Sequence, residues 1–107
     1  MDSLEELKIK IDKFVNDRDW DQFHTPANLV KSISIEAAEL LECFQWGDDF
    51  KIDDVKDELA DVINYCIQLA SKLNLDIKQI VIDKMAKNEA KYPVEKAKGV
   101  ATKYDKL

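Results

Sequence analysis

Residues that break helices are scarce in this sequence: only two glycines and two prolines occur among its 107 residues. Average proteins contain about three times as much of both. Strands joined by turns need such residues often, whereas long helices do not. Apolar residues also recur at intervals of three and four along most of the chain, which is the period of one helical face. The sequence therefore predicts an all-α protein.

Four helices are predicted from this spacing. They cover residues 3–16, residues 26–46 before Gly47, residues from 54 to about 74, and residues 77–92 before Pro93. Thr25 and Pro26 have the residue types of an N-cap and a first helical position. Asp53 or Asp54 is expected to cap the third helix. The predicted buried stripe of that helix consists of Val55, Leu59, Val62, Cys66, Leu69 and Leu73.

The predicted architecture is a four-helix bundle in a single domain covering residues 1–107. Residues 94–107 have weak apolar patterning and are predicted to form a flexible tail. A chain this short buries a modest fraction of its surface, so we also expect it to oligomerise.

The charge distribution argues against a nucleic-acid polymer as the partner. Residues 1–83 carry 9 Lys or Arg against 19 Asp or Glu, a net charge of −10, whereas residues 84–107 carry 7 Lys against 3 acids, a net charge of +4. A general nucleic-acid binder would instead show a basic face. No apolar run is long enough for a membrane span, and the two cysteines form no CxxC motif. We therefore expect a cytoplasmic protein with no membrane partner, in which Cys43 and Cys66 are packing residues.

Two acidic pairs border the apolar faces of the central helices. Glu36 and Glu39 lie in the second helix, and Glu58 and Asp61 lie in the third. Residues three apart project from one side of a helix. Antiparallel packing of the two helices would therefore bring four carboxylates together, and such a group needs cations to balance its charge.

Carboxylate oxygens favour Mg²⁺, with Mn²⁺ as a substitute, so the four acids are candidate metal ligands. Neither pair is followed by a histidine, because the only histidine is His24, and this argues against a di-iron site. The alternative is that the acids are solvated helix faces.

Lysines at spacings of three and four form a basic stripe on the fourth helix: Lys84, Lys87 and Lys91. A metal on an acidic wall suits a polyphosphate substrate, and these lysines could bind its distal phosphates. An ordinary exposed helix face is the alternative.

Several motifs together resemble the MazG-like all-α nucleoside triphosphate pyrophosphohydrolases, and most closely their dCTP pyrophosphatase branch. The motifs are RDWDQFHTPANL at residues 18–29, the two acidic pairs, FQW at residues 44–46, Tyr65, and the segment from Lys84 to Pro93. The resemblance covers residues 4–104. One position departs from the branch, because Ile11 replaces a histidine of the first helix that contacts the nucleotide.

The resemblance implies that Glu36, Glu39, Glu58 and Asp61 bind Mg²⁺ and carry the catalysis. It also implies a set of substrate-binding residues: Trp20, Gln22, Phe23, His24, Trp46, Tyr65, Lys84, Asn88 and Lys91. The family fold is a helical bundle that forms dimers, commonly paired into tetramers.

The predicted function is magnesium-dependent hydrolysis of a deoxynucleoside triphosphate to a monophosphate and pyrophosphate, which implies a role in nucleotide-pool housecleaning. A dCTP-like substrate is favoured, and other deoxynucleotides such as dATP are left open. We expect Glu39 or Glu36 to accept a proton from the attacking water. Two alternatives stay open: a non-enzymatic helical interaction module, and the same fold acting on dUTP or phosphoribosyl-ATP.

Overall fold

The computed structural model describes residues 1–107 and contains helices but no strand. The helices are α1 (Ser3–Asp17), α2 (Pro26–Glu42), α3 (Ile52–Lys72), α4 (Ile77–Lys91) and the short α5 (Val94–Ala97), with 3₁₀ turns at Asp21–Phe23 and Tyr104–Lys106. The all-α class and the four long helices that the sequence predicts are confirmed.

Side-chain caps begin three of the long helices. The Thr25 hydroxyl accepts a hydrogen bond from the Asn28 backbone N–H at 3.1 Å, and Pro26 is the first residue of α2. Asp2 accepts from the Glu5 N–H at 2.8 Å, and Asp76 accepts from the Gln79 N–H at 2.9 Å. Each cap satisfies an N–H that has no partner inside its helix.

Two predicted helix ends are wrong. Helix α2 ends at Glu42 instead of Trp46. The backbone N–H groups that follow donate to carbonyl oxygens three residues back, as Cys43 donates to Leu40, and the chain therefore forms successive turns. Gly47 then takes a φ of +117°. At the start of α3 the cap position is occupied by Lys51, so neither Asp53 nor Asp54 caps the helix. Both aspartates lie in the first turn, where negative charge complements the helix dipole.

The chain forms two compact units, residues 1–75 and residues 76–107. In the first unit α3 packs against both α2 and α1, most extensively against α2. The two helices are antiparallel, since Leu29 near the start of α2 lines a common cavity with residues 68–72 near the end of α3. In the second unit the Tyr92 hydroxyl accepts a hydrogen bond from the Tyr104 N–H, and the two rings meet edge to face. The single domain and the flexible tail stay predictions.

The core of the chain is small. Only five side chains are buried, and all are apolar: Ile11, Val15, Leu29, Ile67 and Ala70. The predicted stripe of α3 is wrong in part, because Leu59, Cys66 and Leu73 are exposed. Helix α3 buries Ile67 and Ala70 instead, since its covered face is set by the positions of α1 and α2. Much apolar surface therefore stays exposed on the single chain.

None of the helices combines the length and the apolar character that crossing a membrane requires.

The replacement Leu29→Ala tests whether this small core sustains the fold. Leu29 is 1% exposed, so the truncation leaves a cavity, and we expect the free energy of unfolding in urea to fall by about 2–5 kcal/mol. Val94, which is 71% exposed, supplies the control Val94→Ala. Equal effects of the two replacements would contradict this description of the core.

Candidate functional site

Four carboxylates meet across the contact between α2 and α3. Each of Glu36, Glu39, Glu58 and Asp61 offers an oxygen, and these four atoms all lie within 4.8 Å of one another. Each helix contributes two acids three residues apart, which places both on one side of the helix. Antiparallel packing then puts the second half of α2 beside the first half of α3. The structure thus brings together the four acids that the sequence singles out.

Two oxygens of this acidic cluster are shielded from water and have no hydrogen-bond donor. They are Oε2 of Glu36 and Oε2 of Glu58, one from each helix, while Glu39 and Asp61 are exposed. A buried acceptor without a partner is costly, and more so when it carries charge. Four converging carboxylates, two of which have an unsatisfied buried oxygen, are suited to a hard divalent cation such as Mg²⁺. The donor set therefore fits the metal that the sequence predicts.

The pKa values of two glutamates reflect this crowding. A hydrogen bond with Glu39, together with burial and repulsion from the other three acids, raises the pKa of Glu36 from 4.5 to about 7. Burial, followed by the hydrogen bond and the charge of Glu39, raises the pKa of Glu58. Without a cation, the cluster therefore retains protons at a pH where isolated carboxyl groups are ionised.

The Cys43 thiol is a poor nucleophile. Burial, with repulsion from Glu58 and Asp54, raises the pKa of the Cys43 thiol, which disfavours the reactive thiolate. The Cys43 thiol lies 3.8 Å from the carbonyl oxygen of Glu39. Cys66 is exposed, so its predicted role as a packing residue is wrong within the single chain.

The segment between α1 and α2 is an ordered turn that carries four of the predicted substrate-binding residues. Trp20 meets Phe14 edge to face, with ring centroids 5.8 Å apart. The Gln22 amide donates to Asp19, and the carbonyl oxygen of Phe23 accepts from the Asn28 side chain at 3.0 Å. The remaining residue, His24, is partly buried and lines a cavity of about 300 Å³.

Polar contacts from α3 hold this turn and α1 in place. Lys72 forms an ion pair with Asp21 at 3.1 Å, and the Ser71 hydroxyl donates to Asp12 at 2.9 Å. Sequence reasoning missed these four residues. Only Lys72 had a signal in the sequence, because residue 72 continues the three-and-four spacing of Glu58, Asp61 and Tyr65 on one face of α3.

The other predicted substrate-binding residues lie at separate places along the chain. Tyr65 is partly buried on α3, one turn beyond Asp61. Trp46 follows α2 and is 90% exposed, so its indole has little contact with its own chain. Lys84, Asn88 and Lys91 are exposed on α4 in the second unit. The ammonium of Lys91 lies over the ring of Tyr104, 4.8 Å from its centroid.

Comparison with known families and proteins gives concordant matches. The model of the MazG-like family matches residues 31–107. The mouse protein dCTP pyrophosphatase 1 is 36% identical over 115 residues, a match that covers 98% of this chain and 68% of the relative. The human protein of the same name is 33% identical with the same coverage.

A solved structure is also similar. The crystal structure of a pyrophosphatase from Archaeoglobus fulgidus superposes with a TM-score of 0.82 and is 39% identical in sequence. The match covers 87% of this chain and 94% of the archaeal chain. The similarity therefore extends over most of both chains.

The raised pKa of Glu36 predicts how pH acts on the metal-free protein. A carboxyl group whose pKa is higher in the folded chain than in the unfolded chain stabilises the fold at pH values below its unfolded pKa. That contribution is lost as the pH rises through its folded pKa. For Glu36 the loss falls between about pH 4.5 and pH 7. The replacement Glu36→Gln mimics the protonated form. In the presence of a chelator, the Tm of the variant should therefore rise relative to the Tm of the native chain as the pH increases across this range.

The exposed Glu42, also on α2, supplies the control Glu42→Gln, whose Tm should follow that of the native protein across the same range. A Glu36→Gln chain that is no more stable than the native chain at pH 8 would contradict the assignment.

Proposed function

Because the chain belongs to the MazG-like family and is a nucleotide pyrophosphohydrolase, we propose that it hydrolyses a deoxynucleoside triphosphate, with a dCTP-like substrate favoured. The products are the monophosphate and pyrophosphate, and the reaction depends on Mg²⁺, for which Mn²⁺ can substitute. Such a reaction suits removal of excess or modified deoxynucleotides from the nucleotide pool.

The observation that carries this proposal is the acidic cluster. Its four carboxylates offer oxygens within 4.8 Å of one another, and one buried oxygen of Glu36 and one of Glu58 have no donor. A triphosphate cannot approach such a cluster unless cations balance the repulsion between phosphates and carboxylates. When bound by Glu36, Glu39, Glu58 and Asp61, Mg²⁺ supplies that positive charge and polarises the phosphate that is attacked.

The acids of the chain also handle the proton of the attacking water. Glu39 is an exposed member of the cluster, so one of its carboxylate oxygens can accept a proton from a water in line with the α-phosphorus. Glu36 is the alternative acceptor. Both cysteines and His24 lie outside the cluster, which is consistent with direct attack by water and no covalent intermediate.

The remaining substrate contacts are assigned by residue type. Trp20, Phe23, Trp46 and Tyr65 offer aromatic faces that can stack on a base, and Gln22 and His24 can hydrogen-bond the nucleoside. Lys84, Asn88 and Lys91 are assigned to the phosphates because ammonium and amide groups donate to phosphate oxygens.

We also propose that the working form is a homo-oligomer, a dimer or a tetramer. The large apolar residues exposed on the single chain include Leu41, Trp46, Phe50, Ile52 and Ile63. Association with further copies of the chain would remove such side chains from water, which is favourable.

Pyrophosphate release from a panel of nucleoside triphosphates, with Mg²⁺ and with a chelator, tests the reaction. We expect metal-dependent release, highest for dCTP or a related deoxynucleotide. Glu39→Gln and Asp61→Asn should each lower kcat at least about 100-fold, since a missing metal ligand or base removes transition-state stabilisation. Their helical circular-dichroism signal should persist.

Matched controls come from acids on the same two helices. Glu42→Gln on α2 and Asp53→Asn on α3 change exposed acids outside the cluster, so they should leave kcat near that of the native chain. The Tm should also rise with Mg²⁺ more than with NaCl of equal ionic strength, through linkage to binding. A Tm that responds only to ionic strength, without pyrophosphate release, would instead favour the interaction module. Release confined to dUTP or phosphoribosyl-ATP would reassign the substrate.

Sedimentation velocity tests the assembly. We expect one species with the mass of a dimer or a tetramer at micromolar concentration, because association covers apolar surface. Replacing an exposed apolar residue such as Ile63 by Asp should shift the protein towards monomer. A native chain that sediments as a monomer would contradict this proposal.

A further inference from the structure

The ammonium of Lys91 lies against an aromatic ring and has no acid beside it. Its Nζ is 4.8 Å from the centroid of the Tyr104 ring. Four other lysines are within 4.0 Å of an aspartate oxygen, and Lys91 is not among them: they are Lys8, Lys13, Lys56 and Lys72. An aromatic face attracts a cation without neutralising it. Lys91 therefore keeps a full positive charge.

The segment that follows α4 brings Tyr104 back to the end of that helix. The hydroxyl of Tyr92, the residue after Lys91, accepts a hydrogen bond from the Tyr104 backbone N–H at 3.2 Å. The rings of the two tyrosines meet edge to face, with centroids 6.1 Å apart. Between them Gly99 takes a φ of +80°, which favours glycine, where the chain turns back. These contacts hold the Tyr104 ring beside Lys91.

A ring contact prepares a lysine for an anion in a way that an ion pair does not. A lysine side chain has large rotamer entropy, which is lost when a ligand holds its ammonium. A contact that already restricts the ammonium lowers this cost of binding. An aspartate in the place of the ring would also restrict it, but would occupy its donors and cancel its charge. The Lys91 ammonium is thus restricted and still free to donate.

The neighbourhood of this contact is basic. The ammonium of Lys103 lies 6.0 Å from the centroid of the same ring. Lys84 precedes Lys91 by seven residues on α4, and residues 84–107 carry 7 Lys against 3 acids. A segment of this charge attracts an anion that carries several negative charges. The phosphates of a nucleoside triphosphate have that chemistry.

We propose that Tyr104 is a positioning residue, whose ring holds the Lys91 ammonium in place for the phosphates beyond the α-phosphate. The inference rests on the proposed function, which assigns Lys91 to the phosphates. Tyr104 acts through Lys91 and does not itself bind the substrate. Because the two distal phosphates leave together as pyrophosphate, the same contact also favours binding of that product.

The replacement Tyr104→Leu removes the ring face and tests this role. We expect KM for the nucleotide to rise about two- to fivefold, the effect of one exposed cation–π contact. The value of kcat should stay within about twofold, because the distal phosphates are held alike in the ground state and the transition state. Tyr104→Phe is the matched control, since it keeps the ring face and should keep the native KM. Tyr104 is 43% exposed, so both variants should keep the native circular-dichroism signal.

A double replacement separates positioning from a purely structural role. Lys91→Met removes the cation and should raise KM at least about tenfold. If Tyr104 acts through Lys91, adding Tyr104→Leu to this variant should raise KM no further. The charge control is Lys78→Met, an exposed lysine thirteen residues before Lys91, about 20 Å along α4, which should leave KM unchanged. An unchanged KM in Tyr104→Leu, or an equal rise with and without Lys91, would overturn the proposal.

Product inhibition shows which part of the nucleotide is affected. Pyrophosphate should inhibit Tyr104→Leu about two- to fivefold more weakly than the native chain, by loss of the same contact. Inhibition by dCMP should not change, because the monophosphate has no distal phosphates. A general loosening of the fold would weaken both inhibitors, and that result would contradict a role confined to Lys91.

The two proposals fail in different ways. Absence of pyrophosphate release from every nucleotide, in a folded chain supplied with Mg²⁺, contradicts the proposed function. Binding of tripolyphosphate in a chelator, followed by the NMR signals of the Lys91 side chain, tests the positioning role without catalysis. The native chain should bind this anion about two- to fivefold more tightly than Tyr104→Leu. Equal binding by the two chains would overturn the positioning role alone.

Discussion

Repulsion among four carboxylates is the constraint on which the rest of this structure depends. Their oxygens converge to within 4.8 Å, and two of the acids are partly buried. The helix pair that holds them must therefore be stabilised elsewhere, and Leu29 and Ile67, buried in the first unit, provide part of that stabilisation. In the metal-free protein the hydrogen bond with Glu39, burial and the charges of the other three acids together raise the pKa of Glu36. A bound cation would reverse the sign of this interaction, so metal binding and stability are coupled.

The small core also limits the stability of the single chain. Five buried apolar side chains provide little hydrophobic stabilisation for 107 residues, while many large apolar residues remain exposed. Conformational entropy opposes folding in proportion to chain length, so a chain like this gains from covering more apolar surface. Association with further copies would cover it. The proposed oligomer therefore adds stability that the small core does not provide.

A sequence prediction succeeds where residues close together in the chain decide the outcome and where local preference singles out one position. Thr25 begins α2 as predicted because a cap depends on neighbours three residues away. The predicted cap of α3 failed because Asp53 and Asp54 are each suited both to a cap and to a first turn, and local preference alone does not separate the two. Cys66 was assigned to the core by periodicity, but exposure depends on which face of α3 the other helices cover.

The sequence by itself determined the helical class, because scarce glycine and proline and a three-and-four apolar period are local properties. It also determined that each acidic pair lies on one side of its helix, since helical geometry requires it. Tertiary structure decided that the two pairs meet and that one oxygen of Glu36 and one of Glu58 are left without donors. These outcomes depend on how α1, α2 and α3 are rotated about their axes, and packing between residues distant in sequence sets that rotation.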